Sequence, residues 1–203
     1  MEQFENQIVL RGDLVGLPEF SHENHGKRFS RFFLEVERLS GAMDTLPVVA
    51  REELFQGLRL SPGLRLGIRG QVRSHNHTDE YGRHLMIFVF ACDLAAEEGE
   101  PVNDLTVSGL LCREPTFRRT PLGREICDAM LAVPRAFRRA DYLPCILWGR
   151  TAQEISRCAV RDQIRIHGRL QSRIYTKYLD DIPIERTAYE ISGLSAAPCT
   201  DPD

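Results

Sequence analysis

Asn6-Gln-Ile-Val-Leu-Arg-Gly12 recurs 97 residues later as Asn103-Asp-Leu-Thr-Val-Ser-Gly109. The same offset matches Leu14 with Leu111, Pro18 with Pro115, Phe20 with Phe117 and Gly26 with Gly123. It runs on through Leu34 and Leu131, Val36 and Val133, and Arg38 and Arg135. It then reaches Asp44-Thr-Leu-Pro47 and Asp141-Tyr-Leu-Pro144 without a gap. An offset of 98 aligns Gly70 with Gly168, Ser74 with Ser172 and Thr78 with Thr176. The repeating unit has the size of a small domain and is too long for a solenoid repeat.

The 203-residue chain therefore divides into a domain at 1–94 and a second at 103–194. Residues 95–102, Ala-Ala-Glu-Glu-Gly-Glu-Pro-Val, are small, acidic and broken by Gly and Pro, and read as a linker. The tail at 195–203, Ser-Ala-Ala-Pro-Cys-Thr-Asp-Pro-Asp, reads as disordered. Each unit is predicted to be mostly β. In the second, strands are expected at 105–111, 125–133, 142–148, 163–175 and 187–194, with a turn over 176–184. Thr151-Ala-Gln-Glu154 fits a capping box opening a short helix to about Cys158. The first unit repeats this order, with strands at 8–14, 28–37, 46–50, 65–74 and 85–94 and a short helix near 52–56. The fold class is all-β: two tandem five-stranded OB-type Greek-key barrels, each with a short helix between strands 3 and 4. Gly70 and Gly168 interrupt the fourth strands, where a bulge helps close a barrel.

Charge is divided unevenly. The formal net charge is −3, yet residues 103–194 hold 15 Arg and Lys against 11 Asp and Glu. Residues 6–94 hold 11 of each. The second unit is the better candidate for a nucleic-acid surface. No apolar run has the roughly 20 residues of a membrane span, and the first residues carry no secretory leader, so a cytoplasmic, nucleoid-associated protein is expected. The six cysteines are too dispersed for a zinc knuckle or redox pair, and Cys127 and Cys145, in apolar strands, read as buried thiols. His22 with His25, and His75 with His77, lack a third ligand nearby and read as polar loop groups; no metal or cofactor is expected. No phosphate-binding Gly loop, nucleophile elbow or metalloprotease helix is present, which argues against an enzyme.

Residues 103–194 resemble the bacterial single-stranded DNA-binding protein family. The resemblance rests on Asn103–Gly109, on Glu114-Pro-Thr-Phe-Arg-Arg-Thr-Pro-Leu-Gly123 and on Leu131-Ala-Val-Pro-Arg135. It continues in Ala140-Asp-Tyr-Leu-Pro-Cys-Ile-Leu-Trp-Gly-Arg-Thr-Ala152 and His167-Gly-Arg-Leu-Gln-Ser-Arg-Ile-Tyr175. It implies sequence-tolerant binding of single-stranded DNA in replication, recombination or repair. A basic groove tracks the phosphates, and bases stack on aromatic faces at roughly 1–3 kcal/mol each. The family's stacking positions match Phe137, Tyr142, Trp148 and Tyr175. The plain alternative for each ring is packing between strands. Tyr142 and Trp148 are an even number of residues apart on one strand, so they share a face with Ile146, while Cys145 faces the other way. Arg118, Arg119 and Arg124 border the first hairpin, and Arg135, Arg138 and Arg139 surround Phe137. Arg150, Arg169, Arg173 and Lys177 adjoin the other aromatics. Guanidinium pairs with phosphate and stacks on bases.

The first unit has Ser40, Thr45, Arg51 and His77 at the positions of these four aromatics, and is expected to bind strand weakly or to serve assembly. Core packing is the default for most of Phe20, Phe29, Phe32 and Phe33. The resemblance also implies four barrels per assembly, hence a homodimer. The family's acidic, aromatic-tipped tail is lacking, and Asp180-Asp-Ile-Pro-Ile184 matches it by chance, so recruitment of replication and repair proteins is doubtful. The competing reading is an assembly or adaptor module, as in primosomal or mobile-element accessory factors, whose OB surfaces bind protein; RNA binding is a third.

Overall fold

The computed structural model describes residues 4–79, 82–179 and 182–199. It is all-β. In the first half, β1 (Asn6–Asn24), β2 (Lys27–Glu37), β3 (Met43–Arg51), β4 (Arg65–Asp79) and β5 (Gly82–Ala96) follow one another. The second half holds β6 (Val102–Leu111), β7 (Thr116–Arg119), β8 (Glu125–Arg135), β9 (Arg139–Trp148), β10 (Gln163–Leu179) and β11 (Ile182–Pro198). β1 pairs with β4 along its first part and with β2 along its last. β3 is antiparallel to β2 and parallel to β5, and β5 returns to β4, so the five strands close on themselves. In the second half β6 pairs with both β10 and β8, β8 with β9, β9 in parallel with β11, and β11 with β10.

Alternation within the strands explains which side is filled. In β3, Asp44, Leu46, Val48 and Ala50 are buried, and the residues between them look outward. In β9, Asp141, Leu143, Cys145 and Leu147 turn inward. The two fourth-strand glycines stand at register shifts. At Gly70 the partner strand carries Cys92 as the extra residue, and at Gly168 it carries Leu194. A Cβ at Gly70 would lie 2.3 Å from the Phe90 carbonyl oxygen, and one at Gly168 2.1 Å from that of Ser192. The bulge therefore sits on the fifth strand, and glycine admits its close approach.

The two halves join through β1 and β6, which run antiparallel from Asn6↔Val107 to Arg11↔Val102. Under the 97-residue offset Asn6↔Val107 exchanges with Leu10↔Asn103, leaving Ile8↔Leu105 at the pivot. The joint is therefore pseudo-two-fold, and buried residues of both halves form a single contiguous cluster. Two buried aspartates cross it in matching ways. Asp44 accepts from Ser172 N at 2.7 Å and from Arg38 Nε at 2.7 Å. Asp141 accepts from Ser74 N at 2.8 Å and from Arg135 Nη1 at 3.1 Å.

Several expectations are corrected. The linker shrinks to 97–101, because β5 runs to Ala96 and β6 begins at Val102. It is also tethered: Arg11 reaches Glu97 and the Glu100 carbonyl, and Arg65 Nη1 donates to Gly99 O at 2.7 Å. Within the tail, Ser195–Pro198 is strand rather than irregular chain, extending β11 alongside Ile164–His167. The helix of the second half, α1 (Gly149–Ile155), starts before Thr151, where Gly149 turns the chain at φ +55°. Its N-cap is Trp148 with no side-chain cap, and Arg150 holds Glu154 at 2.9 Å, so the Thr151 capping box does not form. The first half has only a 3₁₀ turn, Glu52–Phe55, at that place. His22 lies in β1, and His75 and His77 lie in β4, rather than in loops. Among Phe20, Phe29, Phe32 and Phe33, only Phe32 shares the inward face with Leu34 and Val48; Phe29 is buried on the outer face.

Candidate nucleic-acid interface

The outer face of the second half follows from register. Tyr142, Pro144, Ile146 and Trp148 look outward from β9, and their partners on β8 are Ala132, Met130, Asp128 and Ile126. Ile146 is buried on this face, which the two aromatics flank. On β10 the inward positions are Ile164, Ile166, Gly168 and Leu170, so Arg169, Gln171, Arg173 and Tyr175 face out. Tyr142, Trp148 and Tyr175 keep 44%, 38% and 37% of their surface open. Phe137 is 94% exposed and lies apart, at the tip of the β8–β9 hairpin. Phe137 and Arg138 both adopt left-handed backbone, at φ 60° and 56°. Such residues cost of order 1–3 kcal/mol each and collect at functional sites.

The proposed cations divide into groups. Arg118 faces out beside Asp128, at 2.6 Å, and Asp128 holds its guanidinium above the ordinary value. Arg173 stands 3.8 Å from Glu190 and 5.7 Å from the Tyr175 ring centre. Arg169 is half-buried, its Nε without a hydrogen-bond partner. Arg119 is on the opposite side of its hairpin, paired with Glu125, and Arg150 pairs with Glu154. Gln153 first, then Arg119, lower the Glu125 carboxyl. Arg135 is turned toward buried Asp141 in the joint between the halves. Among the described residues, Arg124, Arg138 and Arg139 make no ion pair. The Lys177 side chain lies outside the described ones.

The single-strand binding protein family model matches residues 102–193, the half that carries the outward aromatics. Single-stranded DNA-binding protein B of Bacillus subtilis (strain 168) is 32% identical over 80 residues, covering 36% of this chain and 71% of that protein. The chain belongs to the single-strand binding protein family. Single-stranded DNA-binding protein 1 of Lactococcus lactis subsp. lactis (strain IL1403) is 33% identical over 81 residues, 36% of this chain and 54% of the relative. The chain thus spans about half the length of several curated relatives that it matches. The wild-type single-stranded DNA binding protein from Thermus aquaticus superposes with a TM-score of 0.80 at 20% identity, covering 100% of this chain and 96% of that one. That likeness is one of fold.

Within this family member, residue-by-residue reading passed over Glu190. It accepts from Gln171 Nε2 at 3.0 Å on the outward face and places a carboxylate among the cations. It precedes Ile191 in an unremarkable strand, and no sequence pattern marks it. The roles of Asp44 and Asp141 were also missed, although the repeated Arg38/Arg135 and Asp44/Asp141 positions were visible.

Proposed function

We propose that the protein binds single-stranded DNA with little sequence preference, through the outer face of residues 103–194. The observation that carries this reading is the set of large rings, Tyr142, Trp148 and Tyr175, half-open on a sheet face beside Arg118, Arg169 and Arg173. Ordinary folding favours covering such rings; leaving them open suits stacking on bases, which contributes roughly 1–3 kcal/mol per base. Surface ion pairs contribute about 0–1 kcal/mol. Phosphates therefore replace the carboxylates of Asp128 and Glu190 at small cost, and Arg124, Arg138 and Arg139 take phosphates directly. The names of the relatives point to the same ligand. In this reading residues 1–94 and 103–194 are separate OB domains, two chains associate to present four barrels, and the protein acts in the cytoplasm in replication, recombination or repair. Binding involves no bond-making.

Titration with oligo-dT, oligo-U and duplex DNA at two salt concentrations tests the function. Saturable binding of oligo-dT is expected, with a log–log salt slope of about −0.7 per phosphate contacted. A flat plot between about 50 and 200 mM salt, or equal affinity for duplex, would reject the reading in favour of a protein-binding adaptor.

A further inference from the structure

The first half lacks rings at Thr45, Arg51 and His77, yet its outer face is aromatic from other positions. In the second half Ile126 on β8 faces Trp148 on β9; the equivalent pair in the first half is Phe29 on β2 and Arg51 on β3. The ring has moved to the neighbouring strand, and a cation has taken its old place. Phe33 faces Pro47 on the same outward side and is exposed. His22 lies flat on Phe29, 4.7 Å between centres and 2° between planes. Phe29 meets Phe90 at 6.0 Å, and the Arg73 guanidinium covers Phe90 at 3.9 Å. Beside this row Arg28 covers exposed Phe20 at 4.5 Å.

The row ends in a cleft of about 880 Å³ between the halves. Arg73 lines it, with Asn24 from the end of β1, His25 from the β1–β2 turn, and Phe137 and Arg139 from the β8–β9 hairpin. Among the described residues, no carboxylate makes an ion pair with Arg73. Its Nη2 donates to Gln71 Oε1 at 2.9 Å, and its Nε is buried without a partner. Asp141 acts on it only through space, its Oδ1 already engaged by Ser74 N and Arg135. Burial first, then Arg135, pull the guanidinium below its ordinary value. A half-buried cation in this state gains from an anion of low hydration cost, and Phe137 brings an exposed ring to the opposite wall.

We propose that this cleft carries the strand from the second half onto the first, with a backbone phosphate on Arg73 and bases continuing along Phe20, His22 and Phe90. The inference rests on single-strand binding by the second half. Alternating rings and cations match the alternating bases and phosphates of an unpaired strand.

The test uses the full chain, read by the emission of Trp148, the sole tryptophan and a reporter of the second half. One oligo-dT has about 8 nucleotides, within the site of a single OB barrel, and another about 30, long enough to reach beyond it. Arg73→Met, which removes the guanidinium but keeps an unbranched chain of similar length, and Phe20→Ala are compared with wild type; Phe20 is exposed and Arg73 half-buried, and equal melting temperatures verify the fold. The long oligonucleotide should bind about tenfold more weakly to each variant, within the range for one lost stacking or charged contact. Its salt slope should fall by about 0.7 in Arg73→Met, while the short one quenches Trp148 as in wild type. Unchanged affinity for the long oligonucleotide in both variants would overturn the proposal. So would a change in molecular mass in its place, which would assign the face to a second copy of the chain. If the short oligonucleotide fails to quench Trp148 in wild type, the second-half reading fails first, and this one with it.

Discussion

Replacing Asp44 with alanine should loosen the joint between the halves more than the same change at Asp141. Asp44 is fully buried and accepts four hydrogen bonds: Arg38 Nε at 2.7 Å, Arg38 Nη2 at 2.5 Å, Ser172 N at 2.7 Å and Ser172 Oγ at 3.0 Å. Its removal orphans a backbone N–H from the other half, which costs about 1–3 kcal/mol. It also strips Arg38 of its partner, and breaking a buried pair costs about 3–5 kcal/mol. The Arg38 side chain is 23% exposed, so water recovers part of that charge. About 3 kcal/mol is the expected total, below the sum of the two penalties because they share one site. Among the described residues, Asp141 accepts only from Ser74 N and Arg135 Nη1, its Oδ2 is without a partner, and Arg135 is 29% exposed. About 1–2 kcal/mol is expected there. At about 2–4 °C per kcal/mol for a chain of this size, Asp44→Ala should lower the melting temperature by about 6–12 °C. Far-UV circular dichroism follows both halves and Trp148 emission follows the second, so the two melting curves should separate in Asp44→Ala. Equal shifts for the two variants, or a loss under about 1 kcal/mol at Asp44, would refute the account of the joint.

Trp148→Ala should weaken binding of oligo-dT by roughly 1–3 kcal/mol and leave most of the stability; a loss of about 3–5 kcal/mol in stability with unchanged affinity would make the ring a packing element. A thiol reagent at pH 8 should modify exposed Cys92 and Cys112 quickly and leave Cys127 and Cys145 intact until unfolding. Burial pushes the Cys127 thiol up to about 11 and drives fully buried Cys145 further in the same direction, and both are shielded from attack. Rapid labelling of five or more thiols would contradict the packing, because only Cys127 and Cys145 are buried. The Arg65 side chain, donating to Asp13, holds that carboxyl below its ordinary 3.8. Because the folded value is the lower one, the contribution is complete above the unfolded value and is lost as pH falls through the folded one. Asp13→Asn should flatten acid destabilisation below about pH 4 by no more than about 1 kcal/mol, since the pair is partly exposed. An identical acid limb in wild type and variant would count against the pair.

Which way the candidate residues face was legible because strand alternation is local. Alternation alone placed Tyr142 and Trp148 together with Ile146 and set Cys145 against them, and β9 has that pattern. The same rule put Arg169, Arg173 and Tyr175 on one side of β10. Charge partners were not legible. Arg119 turns toward Glu125, its partner directly across the hairpin, while the Arg135 side chain turns toward Asp141, which stands opposite Val133, two positions back on the same strand. Glu190 reaches Arg173 only because β11 returns beside β10.

Repetition, strand periodicity and the glycines at 70 and 168 were enough to indicate an all-β chain, since each is an intrinsic property of the order of residues. How the units meet depends on contacts between residues about 34 to 128 positions apart, which no local pattern encodes. The β1–β6 pairing, the Asp44–Ser172 and Asp141–Ser74 bridges and the tethered 97–101 segment belong to that class. The outward rings of the first half are decided at shorter range: alternation puts Phe29 and Phe32 on opposite faces of β2, and the register of β2 against β3 decides which of them faces out. A one-residue change in that register would reverse them, because side chains alternate with a period of two.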